Sequence, residues 1–360
     1  KFMPGLKTIL QTVKWENEKD QELRSNCIET IGYILTSVKN SPEICKQDAI
    51  EVCQMILDCL INGNLQDADP QINAITNTVS QICVCLKEEF KQFLPLIVPA
   101  LLKDCQKDID FKIVDADEVQ DEGEGDGRNA ISLKVKGMEG AKTVSMNTNV
   151  LETKINSTQI LKVLARNLGT AFYDHVEDVA KVCIEALLQD PYSYMIRKES
   201  AKCMRFCIAA CADHPEKQKA LFIMTYMKLM EEIEKRKKRL EFDMINSIIK
   251  EIFKQLKCFY HFKAKGMTVF TVEDAQTLIN RLKEIHDLIK ANNSEMKEKV
   301  KSMKNIDDEE KEYLWEDIEK IDKGIHHIME INGFLMNNMG PSISGHVGAT
   351  LLPSYAQVLL

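Results

Sequence analysis

The feature that most constrains this chain is an apolar stripe at 3.6-residue spacing that recurs along almost its whole length. Leu6, Ile9, Leu10 and Val13 form the first stripe, and Leu23, Cys27, Ile31, Ile34, Leu35 and Val38 the second. Ile44, Val52, Met55, Ile56, Leu57 and Leu60 make a third, and Ile72, Ile75, Val79, Ile82, Cys83 and Leu86 a fourth. Phe90 to Cys105 is the fifth. After an interruption the pattern resumes over 150–168, 176–188, 194–211, 217–233, 242–262, 272–289 and 318–339, with a partial segment near 351–360. Ser41-Pro42, Asp69-Pro70 and Asp190-Pro191 punctuate it, each placing a capping side chain before a proline at a predicted helix start.

Paired off, the predicted helices begin a new unit near residues 3, 43, 90, 174, 216 and 273. The uninterrupted spacings, roughly 40 to 47 residues, fall in the range of HEAT or armadillo repeats. One pair cannot bury its apolar face alone, so neighbours must stack. The expected fold is all-α: a HEAT-repeat α-solenoid, a right-handed superhelix of antiparallel pairs with outer A and inner B helices. The expected division is helix pairs over 1–105, an acidic insert over 106–147, and helix pairs over 148–262. A longer, charged pair with an insertion over 263–340 and the start of a further repeat over 341–360 follow. The mixed-charge stretch 290–317 either extends a helix or forms a mobile connection. Neither end carries a polar capping repeat, so the chain reads as a stretch of a longer solenoid.

Composition removes several function classes. A net charge of −8 argues against a direct nucleic-acid binder and leaves room for basic partners. No signal-peptide pattern opens the chain, and the most apolar run, Phe93 to Leu102, is interrupted by Pro95 and Pro99 and is too short for a membrane span. The 12 cysteines include no Cys-x-x-Cys pair, and many lie in the stripes, as buried small hydrophobes in a reduced compartment do. Cys203, Cys207 and Cys211 share a helix face but lack a fourth ligand, which favours packing over metal. His326-His327 point in different directions, and His175, His214 and His261 lie near helix ends. The basic run Lys235 to Arg239 is balanced by Glu231, Glu232, Glu234 and Glu241 and reads as a solvated turn. No nucleophile–base arrangement emerges, so no enzyme, catalytic residue, metal or cofactor is expected.

Two features remain as binding candidates. The insert carries Asp115, Asp117, Glu118, Asp121, Glu122, Glu124 and Asp126, with Gly123, Gly125 and Gly127 keeping it from being helical. It is either a solvated loop or an acidic arm for a basic partner; its carboxylates would repel phosphate. On the first two B helices, Glu22, Asn26 and Glu29, then Asp69, Asn73 and Asn77, recur at helical spacing opposite the apolar stripe. Stacking would align them into an acid and amide ladder for lysines and backbone of an extended basic segment, unless they are an ordinary solvated face.

Several strings resemble the karyopherin-beta family, importins of the Ran-binding-protein-five (karyopherin-beta-three) type. They are Leu23-Arg24 with Glu29 and Ile31; Asp69-Pro70-Gln71-Ile72; and Phe90-Lys91-Gln92-Phe93-Leu94-Pro95 continuing to Pro99-Ala100-Leu101-Leu102-Lys103. Asp115 with Asp126-Gly127, Ile196 to Ala201, and Leu351-Leu352-Pro353 follow in consistent order. The resemblance implies a nuclear import receptor that shuttles between cytoplasm and nucleus. Such a receptor binds basic cargo (localisation signals, ribosomal proteins or histones), contacts Phe-Gly nucleoporins and releases cargo to Ran-GTP. A monomer without membrane contact is expected. The alternative from the residues alone is a HEAT-repeat scaffold or regulatory subunit of a multiprotein complex.

Overall fold

The computed structural model describes residues 2–14, 17–38, 40–62, 69, 71–109, 111–115, 128–133, 142–191, 193–237, 241–258, 266–302, 308–351 and 353. Among them the stripes are helices nearly end for end, gathered into two compact units, Lys1–Asp213 and His214–Leu360.

The first unit holds α1 (Met3–Thr12), α2 (Glu18–Ser37), α3 (Lys46–Asn62), α4 (Gln71–Leu86), α5 (Leu94–Cys105), α6 (Thr148–Leu168), α7 (Val176–Val182) and α8 (Tyr194–Ala210). Its packing is that of two layers. The odd-numbered A helices touch in the order α1, α3, α5, α7, and the even-numbered B helices in the order α2, α4, α6, α8. Within the B layer the shared core is built from Ile31 and Leu35 of the α2 stripe, joined by Ile28, and Ile75, Val79 and Ile82 of the α4 stripe, all fully buried, whereas Leu23 of the α2 stripe is exposed. Lys7 ties the A layer together across α1 and α3, its Nζ reaching Asp48 Oδ1 at 2.5 Å and Glu51 Oε2 at 2.7 Å.

The turns obey the same chemistry twice over. After α4 and after α6 the backbone passes through a left-handed residue, Lys87 at φ 50° and Gly169 at φ 53°, and then a short 3₁₀ segment leads to the next A helix. A left-handed residue is a common way to end a helix, because it turns the chain back onto the last free carbonyls. Glycine meets that geometry without strain; lysine does not. At Asp190 the side chain accepts from the Ser193 backbone N–H (2.9 Å), and Ser193 itself caps α8 through Ile196 N (3.3 Å). The predicted cap at Asp190 thus sets up the turn, and Ser193 is the N-cap.

The acidic insert departs from expectation. Its flanks are strands: β1 (Phe111–Asp115), β2 (Arg128–Leu133) and β3 (Lys142–Asn147) form an antiparallel sheet in the order β1-β3-β2. Phe111 pairs with Met146 and Asp115 with Lys142, while Arg128 pairs with Asn147 and Leu133 with Lys142. The helices on either side, α5 and α6, pack on each other, so the sheet is an excursion from within a pair.

The second unit holds α9 (Pro215–Lys237), α10 (Phe242–Leu256), α11 (Val272–Ser302), α12 (Asp308–Met339) and the short α13 (Pro341–Thr350). α10 packs on α12, and α11 on α12. Gly324 of α12 permits the first contact: a Cβ there would sit 1.8 Å from Asn246 Oδ1 of α10. The charged stretch after residue 289 extends two helices toward each other, α11 to Ser302 and α12 from Asp308, and Asn293 Nδ2 donates to Asp322 Oδ1 at 2.6 Å across them. No helix among the described residues is long and apolar enough to cross a membrane.

Candidate functional site

The exposed face of the B layer in the first unit carries the ladder candidates. Glu22 and Asn26 lie on the open side of α2, with Glu29 half-buried beside them. Asn73 and Asn77 lie on the open side of α4. The two helices are locked in register by Thr78, whose Oγ1 donates to Ile28 O at 3.0 Å. Gly32 opens room there, since a Cβ on it would lie 1.8 Å from Gln81 Oε1. The amide row continues beyond the two predicted helices. Asn156 of α6 donates from Nδ2 to Asn73 Oδ1 at 3.0 Å.

Asp69 does not belong to this row. It is 8% exposed and accepts from the Gln71 backbone N–H at 2.8 Å, capping α4, and from Gln71 Nε2 at 3.3 Å. Gln71 Oε1 in turn accepts from Arg24 Nε at 2.8 Å, and Arg24 Nη1 donates to the carbonyls of Leu10 (2.5 Å) and Val13 (3.0 Å) at the end of α1. The predicted ladder spacing fails at Asp69 because the residue precedes the first helical turn, where the 100° step does not hold. Of the acidic insert, Asp115 ends β1 opposite Lys142. Asp117, Glu118, Asp121, Glu122, Glu124 and Asp126 lie outside the described residues.

Toward α8 the face changes sign. Lys162 and Lys202 both bind the carboxylate of Glu199, at 2.5 and 2.6 Å. Burial alone would raise the Glu199 pKa, but the two ammonium groups more than offset it and hold the carboxyl below its ordinary range. Arg205 lies 4.5 Å and Arg166 5.9 Å from the ring centre of Phe206, and Lys198 is 5.3 Å from that of Tyr194.

In the second unit a cavity of about 630 Å³ opens between α9 and α11. Phe222, Tyr226, Met227, Met230, Val269 and Phe270 form its apolar wall, with Glu231, Glu234, Lys235, Asp274 and Arg281 among its polar lining. Phe270 stands edge-on to both Phe222 (5.9 Å) and Tyr226 (5.3 Å). Burial pushes the Tyr226 phenol up to about 12. Met227 remains 57% exposed on α9.

Cys203, Cys207 and Cys211 are fully buried, and no described group of three or more His, Cys, Asp or Glu residues could hold a metal ion. His326 is 73% exposed and His327 only 20%, and Glu330 lies 2.9 Å from the His327 ring and 3.9 Å from that of His326. His175 directly precedes α7, its ring 5.9 Å from that of Phe172, and His261 lies outside the described residues. In the basic run, Arg236 is buried rather than solvated, paired with Glu232 (3.2 Å) and Glu241 (2.8 Å). Lys235 reaches Glu232 and Lys237 reaches Glu284, each at 2.7 Å.

No family model matches the chain. It is 21% identical over 215 residues to a probable importin-5 homolog of Dictyostelium discoideum, covering 60% of this chain and 18% of that protein. It is 22% identical over 174 residues to importin subunit beta-3 of Saccharomyces cerevisiae, covering 48% and 15%. The matches thus span less than a fifth of either relative. Among solved structures, Kap121p bound to Pho4p superposes with a TM-score of 0.58 at 16% identity, over 98% of this chain and 34% of that one. Kap121p bound to RanGTP gives 0.57 at 16%, over 98% and 35%. The two-layer stack of helix pairs described above is therefore the HEAT-type fold of Kap121p. The chain is thus similar in sequence to parts of two importins and shares the fold of Kap121p.

Proposed function

We propose that the chain is part of a nuclear import receptor, and that the exposed B face of α2 and α4 is where it takes basic segments of its cargo. The observation that carries this is the side-by-side array of Glu22, Asn26, Glu29, Asn73 and Asn77 on two stacked helices. Carboxylates at this spacing attract lysine ammonium groups, and amides between them accept from and donate to an extended backbone. Asp69 supports the array from beneath as the cap of α4. Asp115 and the acidic residues 117–126 assist in holding cargo or Ran. The relatives support the reading: Kap121p has been solved with Pho4p, Ste12p, Nup53p and RanGTP, and in a form with three acidic residues changed to lysine. The RanGTP-bound form of Kap121p supports, for this chain too, cargo release by Ran-GTP and shuttling between cytoplasm and nucleus. The cavity between α9 and α11 fits the aromatic side chain of a Phe-Gly nucleoporin repeat, with apolar walls and a polar rim.

Calorimetric titration with a lysine-rich extended peptide tests the cargo face. Saturable one-to-one binding is expected to survive about 0.15 M salt, where the Debye length is roughly 8 Å. Reversal of Glu22 and Glu29 to lysine is expected to abolish it. Unchanged affinity in that double variant would sink the assignment. A Met227→Asp variant is expected to lose capture by immobilised Phe-Gly peptide while keeping the lysine-rich ligand.

A further inference from the structure

The B layer of the first unit presents more than an acidic face. Along one line across the helices, Glu29 on α2 is followed by the amides and hydroxyls of α4, then by Lys162 on α6 and Lys198 and Lys202 on α8. The register is fixed by contacts: Thr78 to Ile28 links α2 and α4, Asn156 to Asn73 links α4 and α6, and Lys162 to Glu199 links α6 and α8. The α2–α4 half offers the carboxylates Glu22 and Glu29. The α6–α8 half offers five cations, Lys162, Arg166, Lys198, Lys202 and Arg205.

Two details make this second half more than a scatter of surface lysines. Glu199, 3% exposed, sits under Lys162 and Lys202 and fixes both ammonium groups, so neither has to be ordered by a ligand. Phe206 does the same for Arg166 and Arg205, which lie near its ring. Side chains already held lose less entropy on binding. Glu199 brings one negative charge among five positive ones, so this half repels a lysine-rich segment that runs straight through.

We infer that the ligand of this face is bipolar: an extended peptide whose lysines lie on α2–α4 and whose aspartates or glutamates lie on α6–α8. The inference rests on the cargo reading above and refines it. Centre to centre, the two halves are two interhelical steps apart, about 20 Å at the usual 8–10 Å spacing of packed helices. An extended chain covers that distance in about six residues.

The test uses the whole chain and four synthetic peptides in calorimetry at fixed salt. One carries lysines alone; two carry the same lysines with a pair of glutamates six residues away, one on each side; one carries the glutamates directly adjacent. One of the spaced peptides is expected to bind about fivefold tighter than the lysine-only peptide. The adjacent arrangement is expected to gain nothing. In an Arg166→Glu/Lys202→Glu chain the gain disappears, while the lysine-only affinity does not fall. If the lysine-only peptide binds and neither spaced peptide improves on it, the bipolar ligand is refuted and the cargo face stands. A gain that survives in the variant chain refutes the bipolar ligand as well. If the lysine-only peptide fails to bind, the cargo reading falls and this inference with it.

Discussion

Replacing Arg24 with leucine is the sharpest probe of how this solenoid holds its binding face. The guanidinium is 3% exposed and spans three elements: it donates to the last carbonyls of α1, at Leu10 and Val13, and to Gln71 at the start of α4, whose amide in turn contacts buried Asp69. Leucine leaves three acceptors without this donor and removes the cation near the Asp69 carboxylate. Each stranded buried acceptor costs about 1–3 kcal/mol, and breaking a buried charge network by removing one partner costs about 3–5 kcal/mol in all. The apolar side chain recovers about 1–2 kcal/mol by filling the space, so a net loss of about 3 kcal/mol is expected. Two compact units need not unfold together, so a single melting temperature is the wrong observable. Hydrogen exchange resolved to peptides is the right one: amides of α1 and of the first turns of α4 are expected to lose about a hundredfold in protection, while those of α11 and α12 are unmoved. Protection at α1 within about threefold of the parent would refute the assignment of Arg24 as the tie. Because Asn73 sits one turn above the Asp69 cap, the same variant is also expected to weaken lysine-rich peptide binding.

Lys87, left-handed at φ 50°, occupies the place where Gly169 stands one repeat on, so Lys87→Gly is expected to stabilise the first unit by about 1 kcal/mol in urea unfolding; a destabilised variant would show that the lysine side chain matters more than the strain. Glu199→Gln is expected to cost about 2 kcal/mol at pH 7, less than for a fully dry pair because Lys162 and Lys202 keep some solvent. Since the native Glu199 pKa is depressed, its contribution is present above the unfolded value near 4.3 and is lost as pH falls through the native value. The gap between parent and variant should therefore begin to narrow in urea titrations only below about pH 4.3 and close below the native value, and a gap that stays constant down to the acid limit of folding would contradict the ion-pair account. All described cysteines but Cys258 are buried, and burial pushes the Cys83 and Cys105 thiols up to about 12. A thiol reagent at pH 7 is expected to modify Cys258 rapidly and the buried thiols only on unfolding; fast reaction of several thiols in the native protein would overturn that packing.

The helices were legible in the sequence because each must bury one face, and burial writes a period that any helix long enough repeats. The three strands were not, because five- and six-residue segments such as Phe111–Asp115 and Lys142–Asn147 offer too few alternations to stand out beside a run of acids and glycines. The charged stretch after residue 289 carried its own answer only in part. Buried residues as late as Asn293 and Val300 keep α11 on its partner, but the stripe thins to polar contacts such as Asn293 with Asp322.

For the binding face, what could be read depended on whether function follows one helix or several. Glu22, Asn26 and Glu29 belong to α2 alone, so helical spacing sufficed to place them on its open side. Helical spacing does not place Asp69, which precedes the first turn of α4. The cationic half was invisible for a different reason. Lys162 and Lys202 are 40 positions apart, each ordinary in its own helix, and only the buried Glu199 makes them one feature. The cavity between α9 and α11 is built the same way, from Met227 and Met230 on one helix and Val269 and Phe270 just before the other. In a solenoid, local periodicity sets the faces, but ligand chemistry arises where neighbouring repeats lay unlike side chains next to each other. A single charge reversal on α8 should therefore alter what the α2 face prefers to bind, although two other helices stand between them in the layer.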